Sequence, residues 1–413
     1  MEKVFQILAH DPDPTIKLNV KIAKTLLGQI DTASIPDLLQ GLRTDHKKTS
    51  RLSQNALRSL AKKSPDKMLP ALIEILKTGK KGFVLTNTLG LLRIMKTAAG
   101  PALPYIIPLY SKDDPVLRED TLATLASVDK TGDQSIPVLV KALKDSDHLV
   151  RREALYGLLM YRDKVDQHMD EIVKLLSDKS IGNVMQTLDF VSSLGAKGRK
   201  ATPEVLKLMT HKNRRVRLRA ARTLGNIAEP SDEVIKALQA ELQDKDIGLQ
   251  KQAIIALKRL EEQAPKKVLP ILRKELNNGS NKASVLESIT SLGPKGKDAV
   301  PDILKVASDD NAKVRLKAIQ ALGGVASPTE EVLKTLQQAL SDKNLGVRKQ
   351  AVIALELLGA SDENKVVPIL IEALRNENDR IVKGQITTSL QHLAREKPAP
   401  RSDASPKKST VVR

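Results

Sequence analysis

The chain has 413 residues, 41% hydrophobic and 28% charged, so it carries enough apolar surface to fold, and its length points to several domains or a repeat architecture. Cys is absent and aromatics make up 2%, which excludes disulfides, thiolate metal sites, iron–sulfur clusters and a cysteine nucleophile, and leaves a core of Leu, Ile, Val and Ala. Lys and Arg outnumber Asp and Glu by 68 to 49, a formal charge of +19, and no apolar run is long enough for a transmembrane helix.

The chain opens Met1-Glu2-Lys3-Val4-Phe5 without the apolar stretch and small-residue site of a secretory signal. The expectation is a cytoplasmic protein, or the mature part of a precursor bound for an internal or periplasmic-type compartment. From there the sequence repeats. An apolar residue followed by Arg, after a short acidic turn, recurs as Leu117-Arg118, Val150-Arg151, Val216-Arg217, Val314-Arg315 and Val347-Arg348. The Arg spacings are 33, 66, 98 and 33, multiples of a period of about 33 residues. Ile381-Val382-Lys383 is a conservative variant, and Asp178 to Val184 and Asp244 to Gln250 are degraded copies.

Each period reads as two helices. The first opens with an apolar residue and Pro in its first turn, where the N–H has no helical partner to lose: Ile35-Pro36, Leu69-Pro70, Leu103-Pro104, Ile136-Pro137, Thr202-Pro203, Val300-Pro301 and Val367-Pro368. A turn of Asp, Asn, Ser and Lys follows. The second helix carries a broad apolar face, as in Val347, Ala351, Val352, Ala354, Leu355 and Leu358, and stops near Gly90, Gly195, Gly225, Gly293, Gly323 or Gly359. About twelve units result, near 1–30, 31–64, 65–100, 101–132, 133–165, 166–200, 201–230, 231–264, 265–297, 298–328, 329–361 and 362–396. The last stretch, 397–413, holds Pro, Ser and basic residues with little to bury. It reads as a disordered tail, with a short basic docking peptide as the sharper alternative.

The run Ala299-Val300-Pro301-Asp302-Ile303-Leu304, then Asp309-Asp310-Asn311-Ala312-Lys313-Val314-Arg315 and on to Gly323, resembles a HEAT repeat. It is similar in particular to the short bacterial HEAT-like variety found also in phycobilisome lyases. The resemblance covers residues 1–396 and implies an all-α fold, a right-handed α-α superhelix of about twelve two-helix repeats. It also implies that the recurring Arg118, Arg151, Arg217, Arg315 and Arg348 form a structural ladder against the acidic turns of their own or neighbouring units.

No chemistry-bearing constellation stands out. Gly79-Lys80-Lys81-Gly82 lacks the spacing of a phosphate-binding loop, and the six His residues form no metal-ligand pattern. Acidic doublets such as Asp113-Asp114, Asp309-Asp310 and Glu330-Glu331 fall where they cap helices. The reading is therefore non-enzymatic, with no catalytic residue, metal or cofactor.

Charge is more informative. Residues 1–100 carry net +9 and 201–300 net +7, while 101–200 are nearly neutral. The sharpest cluster runs from Lys197 to Arg222, ten cations against the single acid Glu204. Lys212, Arg214, Arg215, Arg219 and Arg222 have no evident duty in the repeat, and Arg215, Arg219 and Arg222 share a helical face. They are the candidates for binding an acidic partner surface. A sparser second patch comprises Lys47, Lys48, Arg51, Arg58, Lys62, Lys63 and Lys67. The leading expectation is a protein-binding scaffold that organises a larger assembly through acidic partner proteins, without membrane insertion. A nucleic-acid binder contacting phosphates comes second, and a chromophore-lyase component third.

Overall fold

The computed structural model describes residues 2–29, 32–43, 46–78, 82–111, 113–279 and 281–395. The expected tail at 397–413 and Gly79 to Lys81 lie outside these residues. Among the described residues every regular element is helical. The chain divides into two compact units, Met1–Arg219 and Ala220–Arg413.

The first unit contains α1 (Glu2–Ala9), α2 (Pro14–Leu26), α3 (Ile35–Gly41), α4 (Lys47–Lys63), α5 (Pro65–Lys77), α6 (Phe83–Met95), α7 (Leu103–Ile106), α8 (Pro115–Val128), α9 (Ser135–Ala142), α10 (His148–Leu159), α11 (Met169–Lys174), α12 (Ile181–Ser193) and α13 (Thr202–Lys207). The division falls within α14 (Arg214–Ile227). The second unit continues with α15 (Asp232–Glu241), α16 (Ile247–Glu261), α17 (Pro265–Asn278), α18 (Lys282–Thr290), α19 (Val300–Val306), α20 (Ala312–Val325), α21 (Glu330–Ala339), α22 (Leu345–Gly359), α23 (Glu363–Asn376) and α24 (Arg380–Arg395). Odd and even helices pair in sequence, an odd first helix with an even second one.

Several even helices, α8, α10, α16, α20 and α22, start where the preceding turn supplies a cap. Asp114, Asp147, Asp246, Asn311 and Asn344 accept from N–H groups two residues ahead at 2.7–3.0 Å, satisfying donors that the helix cannot. Their apolar faces then close on the neighbours. In the first unit Ile22, Leu38, Leu57, Leu72, Leu89, Ile106 and Leu125 belong to one buried cluster. In the second, Leu238, Leu257, Leu272, Ile289, Ile303, Ile319, Leu336 and Leu355 are fully buried.

A longer period overlies the short one. Lys96, Gly195 and Gly293 stand 99 and 98 residues apart, and all three adopt a left-handed φ of 53–55°. Each opens a seven-residue 3₁₀ helix, at Lys96–Ala102, Gly195–Ala201 and Gly293–Ala299, that leads into a first helix with Pro in its opening turn. Three two-helix units thus form the true repeating block.

Two expectations need correction. Pro70 and Pro368 lie inside α5 and α23, as Pro270 does in α17, because these first helices begin more than a turn earlier. In α5 and α17 another proline, Pro65 or Pro265, already holds the opening position. Nor does α6 stop near Gly90, which sits well inside it, whereas Gly225 and Gly323 lie in the last turns of α14 and α20. A Cβ on Gly225 or Gly323 would lie 2.7 or 2.8 Å from the Cα of Ala256 or Ala354 in the next second helix, so those glycines allow close helix packing.

Candidate functional site

The recurring arginines reach forward to the next acidic turn. Arg118 donates from Nε and Nη2 to the Asp145 carboxylate, both at 2.9 Å. Arg151 makes the same fork with Asp178 at 2.6 and 2.8 Å, and Arg315 with Asp342 at 2.7 and 2.9 Å. Arg348 reaches Glu377 at 3.0 Å. A second arm turns back: Arg151, Arg217, Arg315 and Arg348 each donate from Nη1 to the carbonyl six residues earlier, at 2.8–3.1 Å. The acceptor carboxylate also closes its own turn, as Asp145 and Asp342 do by accepting from the N–H of Asp147 and Asn344.

These groups are charged and nearly buried. Hydrogen bonding from Arg315 holds the Asp342 carboxyl below its ordinary value despite burial. Burial pushes Asp145 upward, but its bonds from Arg118, Asp147 and Tyr110 outweigh this and the net shift is downward. Burial, then the Asp145 charge, raises the Tyr110 hydroxyl to about 12. Sequence reading named the arginines but not their acceptors, although an acid 27 residues after Arg118, Arg151 and Arg315 was a visible signal. It also missed Lys282, which bonds Asp309 at 2.8 Å from the unit between α17 and α19.

The even helices carry a second, more exposed set of cross-unit pairs. Arg93 faces Asp120 at 3.2 Å, Arg152 faces Glu119 at 3.6 Å, and Lys317 faces Glu287 at 2.9 Å. This set changes the reading of the cluster from Lys197 to Arg222. Arg219, expected to lack a structural duty, donates to Asp189 at 3.0 Å. Lys197 and Lys200 pair with Asp166 and Asp170 at 3.4 and 2.8 Å, and Lys207 pairs with Glu204 at 2.6 Å. Four of those cations are therefore neutralised locally, three by acids of the preceding repeat and Lys207 by Glu204 of its own helix. Lys212, Arg214, Arg215 and Arg222 are exposed.

The weaker sequence candidate looks different. On α4, Lys47, Lys48, Arg51, Arg58, Lys62 and Lys63 are all exposed, the helix contains no acid, and none of the six makes an ion pair among the described residues. Arg51, Arg58 and Lys62 recur at spacings of 7 and 4 and share one stripe. Arg58, in the middle of that stripe, lines a cleft of about 350 Å³ between α4 and α6, and Arg51 and Lys62 lie on either side of it along the helix. Gln54 and Arg58 form one wall, Asn87 and Gly90 the other, over buried Leu57 and Leu91. Asn87 spends its amide N–H on the Phe83 carbonyl at 2.8 Å, which leaves its side-chain oxygen to accept.

Among the described residues no group of three or more His, Asp or Glu side chains is placed to hold a metal ion, and no helix is long and apolar enough to cross a membrane. Several buried acids belong to neither set of pairs, Glu261 and Glu275 among them. Glu261, at the end of α16, is fully buried with no hydrogen-bond partner for either carboxyl oxygen, and desolvation raises it to about 8.

Residues 202–293 and 300–391 match the model of the HEAT repeat family. The two stretches begin 98 residues apart, the interval that separates Gly195 from Gly293. These are HEAT repeats. Solved structures similar to this chain include karyopherins. Importin beta shares 12% identity with a TM-score of 0.61, over 95% of this chain and 64% of its own. Kap95 in its complex with Nup1 shares 14% with a TM-score of 0.59, over 95% and 59%. Kap121p bound to the extreme C-terminus of the phosphatase Cdc14p shares 13% with a TM-score of 0.59, over 94% and 49%. At such identity the likeness is one of fold, and this chain spans less than two thirds of each karyopherin. No curated protein matches it. The fold class is the all-α HEAT superhelix.

Proposed function

We propose that this chain is a non-enzymatic scaffold that binds acidic partner proteins and helps to organise a multiprotein complex. The observation that carries the proposal is the contrast between α4 and the other even helices. On α6, α10, α14 and α20 a half-buried Arg or Lys meets a carboxylate of an adjacent even helix, whereas the six exposed cations on α4 meet none among the described residues. Like charges crowded on one helix oppose folding, so such a surplus is understandable as a surface completed by another molecule. Lys212, Arg215 and Arg222, exposed on or beside α14, form a second place where acidic residues of a partner could be met. Two of the karyopherin structures of similar fold are protein complexes, Kap95 with Nup1 and Kap121p with the extreme C-terminus of Cdc14p. A repeat array continuous over 1–396 with a docking tail at 397–413 belongs to the same proposal.

The test uses the full chain as bait in native lysate, with and without nuclease, at low and high salt. A variant carrying Arg51→Glu, Arg58→Glu, Lys62→Glu and Lys63→Glu runs alongside, its fold checked by circular dichroism. Proteins retained after nuclease at low salt, and lost both at high salt and in the variant, support the scaffold. Retention that disappears on nuclease treatment supports the nucleic-acid reading instead.

A further inference from the structure

We infer that the cleft between α4 and α6 is the docking site for an acidic peptide segment of a partner, held by carboxylates on Arg51, Arg58 and Lys62 and anchored by one apolar side chain beside Gly90. The inference rests on the scaffold reading and assigns its contact point.

The decisive residue is Gly90. A glycine within a helix costs about 1 kcal/mol relative to alanine, so its presence calls for a physical return. At Gly225 and Gly323 the return is helix packing, since a Cβ there would strike the next helix. At Gly90 no such return exists. The nearest atom to a Cβ would be the tip of Arg93, at 3.9 Å. The missing side chain instead leaves a notch in the wall of the cleft, floored by Leu57 and Leu91 with Ile94 alongside.

The rest of the cleft states the chemistry of the occupant. Its rim on α4 is cationic and unpaired, which selects carboxylates, and guanidinium groups bind these in a fork. Its floor is apolar, which rewards one buried side chain. Asn87 keeps an acceptor for a peptide N–H. Arg93 is engaged with Asp120 and shapes the cleft without adding free charge. About 350 Å³ is near the lower end of ligand sites, enough for an anchor side chain while the remainder of the segment lies along the exposed stripe.

The experiment is fluorescence anisotropy of the full chain with three labelled probes: a peptide of alternating Glu and Leu, a Glu-only peptide of equal length, and an oligothymidylate. The Glu–Leu peptide should bind the wild type more tightly than either other probe. Its Kd should rise at least tenfold in Gly90→Leu, which fills the notch. The same loss is expected in Gln54→Trp, which narrows the cleft from an exposed position of the opposite wall and so guards against misfolding of the first variant. Arg51→Glu with Arg58→Glu should weaken both peptides at least tenfold, whereas Gly90→Leu should leave the Glu-only peptide within twofold. Equal affinity of the Glu–Leu peptide for wild type, Gly90→Leu and Gln54→Trp would overturn the site, as would preferential binding of the oligothymidylate or no peptide binding. If the cleft variants are inert here while the α4 charge reversals still abolish protein capture from lysate, the docking site falls and the scaffold stands. If neither set changes capture, the scaffold falls as well.

Discussion

Glu261 offers a direct test of the packing in the second unit. Its carboxyl is fully buried, lacks hydrogen-bond partners, and titrates near 8 in the folded chain against 4.5 for the ordinary group. The folded-state value is raised, so the unfolded chain releases this proton first. Below pH 4.5 both states are protonated and the group contributes nothing to the pH dependence. Between 4.5 and about 8 stability falls as pH rises, by about 1.4 kcal/mol per pH unit, and the loss is complete above that. At pH 7 the penalty is about 3 kcal/mol, a large fraction of the stability of a typical domain. Glu261→Gln removes the titration while keeping the shape. The paired carboxylates titrate at lower pH and do not interfere, since Asp145, Asp178 and Asp342 are all shifted down. Urea unfolding of both proteins, followed by helical circular dichroism from pH 5 to pH 8, should show the variant gaining about 3 kcal/mol on the wild type across that range. Parallel curves over the whole range would refute the reasoning and show that water or a rearranged neighbour solvates the carboxylate.

The arginine pairs predict the opposite dependence. Arg315→Ala leaves Asp342 without its fork and two turn carbonyls without a donor, and should cost about 3 kcal/mol in chemical unfolding at pH 7. Asp342 is shifted down, so its contribution is complete above the unfolded carboxylate pKa and is lost as pH falls through the folded one; the wild-type advantage should shrink in acid melts and persist at pH 8. Lys96 holds φ 53° and ψ −134°, where its glycine counterparts Gly195 and Gly293 have the same φ without a Cβ. Lys96→Gly should therefore raise the melting temperature, with a gain of about 1 kcal/mol. Alanine at two helical glycines should act with opposite signs. Gly323→Ala forces a Cβ against Ala354 and should destabilise by about 1–3 kcal/mol, while Gly90→Ala meets open space and should stabilise by up to about 1 kcal/mol. Calorimetry giving both the same sign would contradict the assignment of their roles.

Much of this protein was legible in one dimension because its local rules are short. Caps such as Asp147 and Asn344 act on N–H groups two and three residues away, and the apolar spacing of α22 repeats within a turn. A 33-residue period of such signals defined the paired helices and the recurring arginines, and the burial of Val314 and Val347 needed only the register. Other features depended on distance in space. In a stacked repeat the neighbour across the interface lies about 30 residues away, so a window from Lys197 to Arg222 could not contain Asp166, Asp170 or Asp189, the acids that neutralise it. The same geometry reversed the order of the two basic patches, since α4 looked diluted in sequence yet its six cations make no ion pair among the described residues. Glycine shows the same division. Sequence places it near helix ends, but only the approach of Ala256 and Ala354 separates Gly225 and Gly323, where packing requires it, from Gly90, where it leaves space. Periodicity determines which residues face inward; the tertiary structure decides which charges meet, because Coulomb energy follows separation in space and not along the chain.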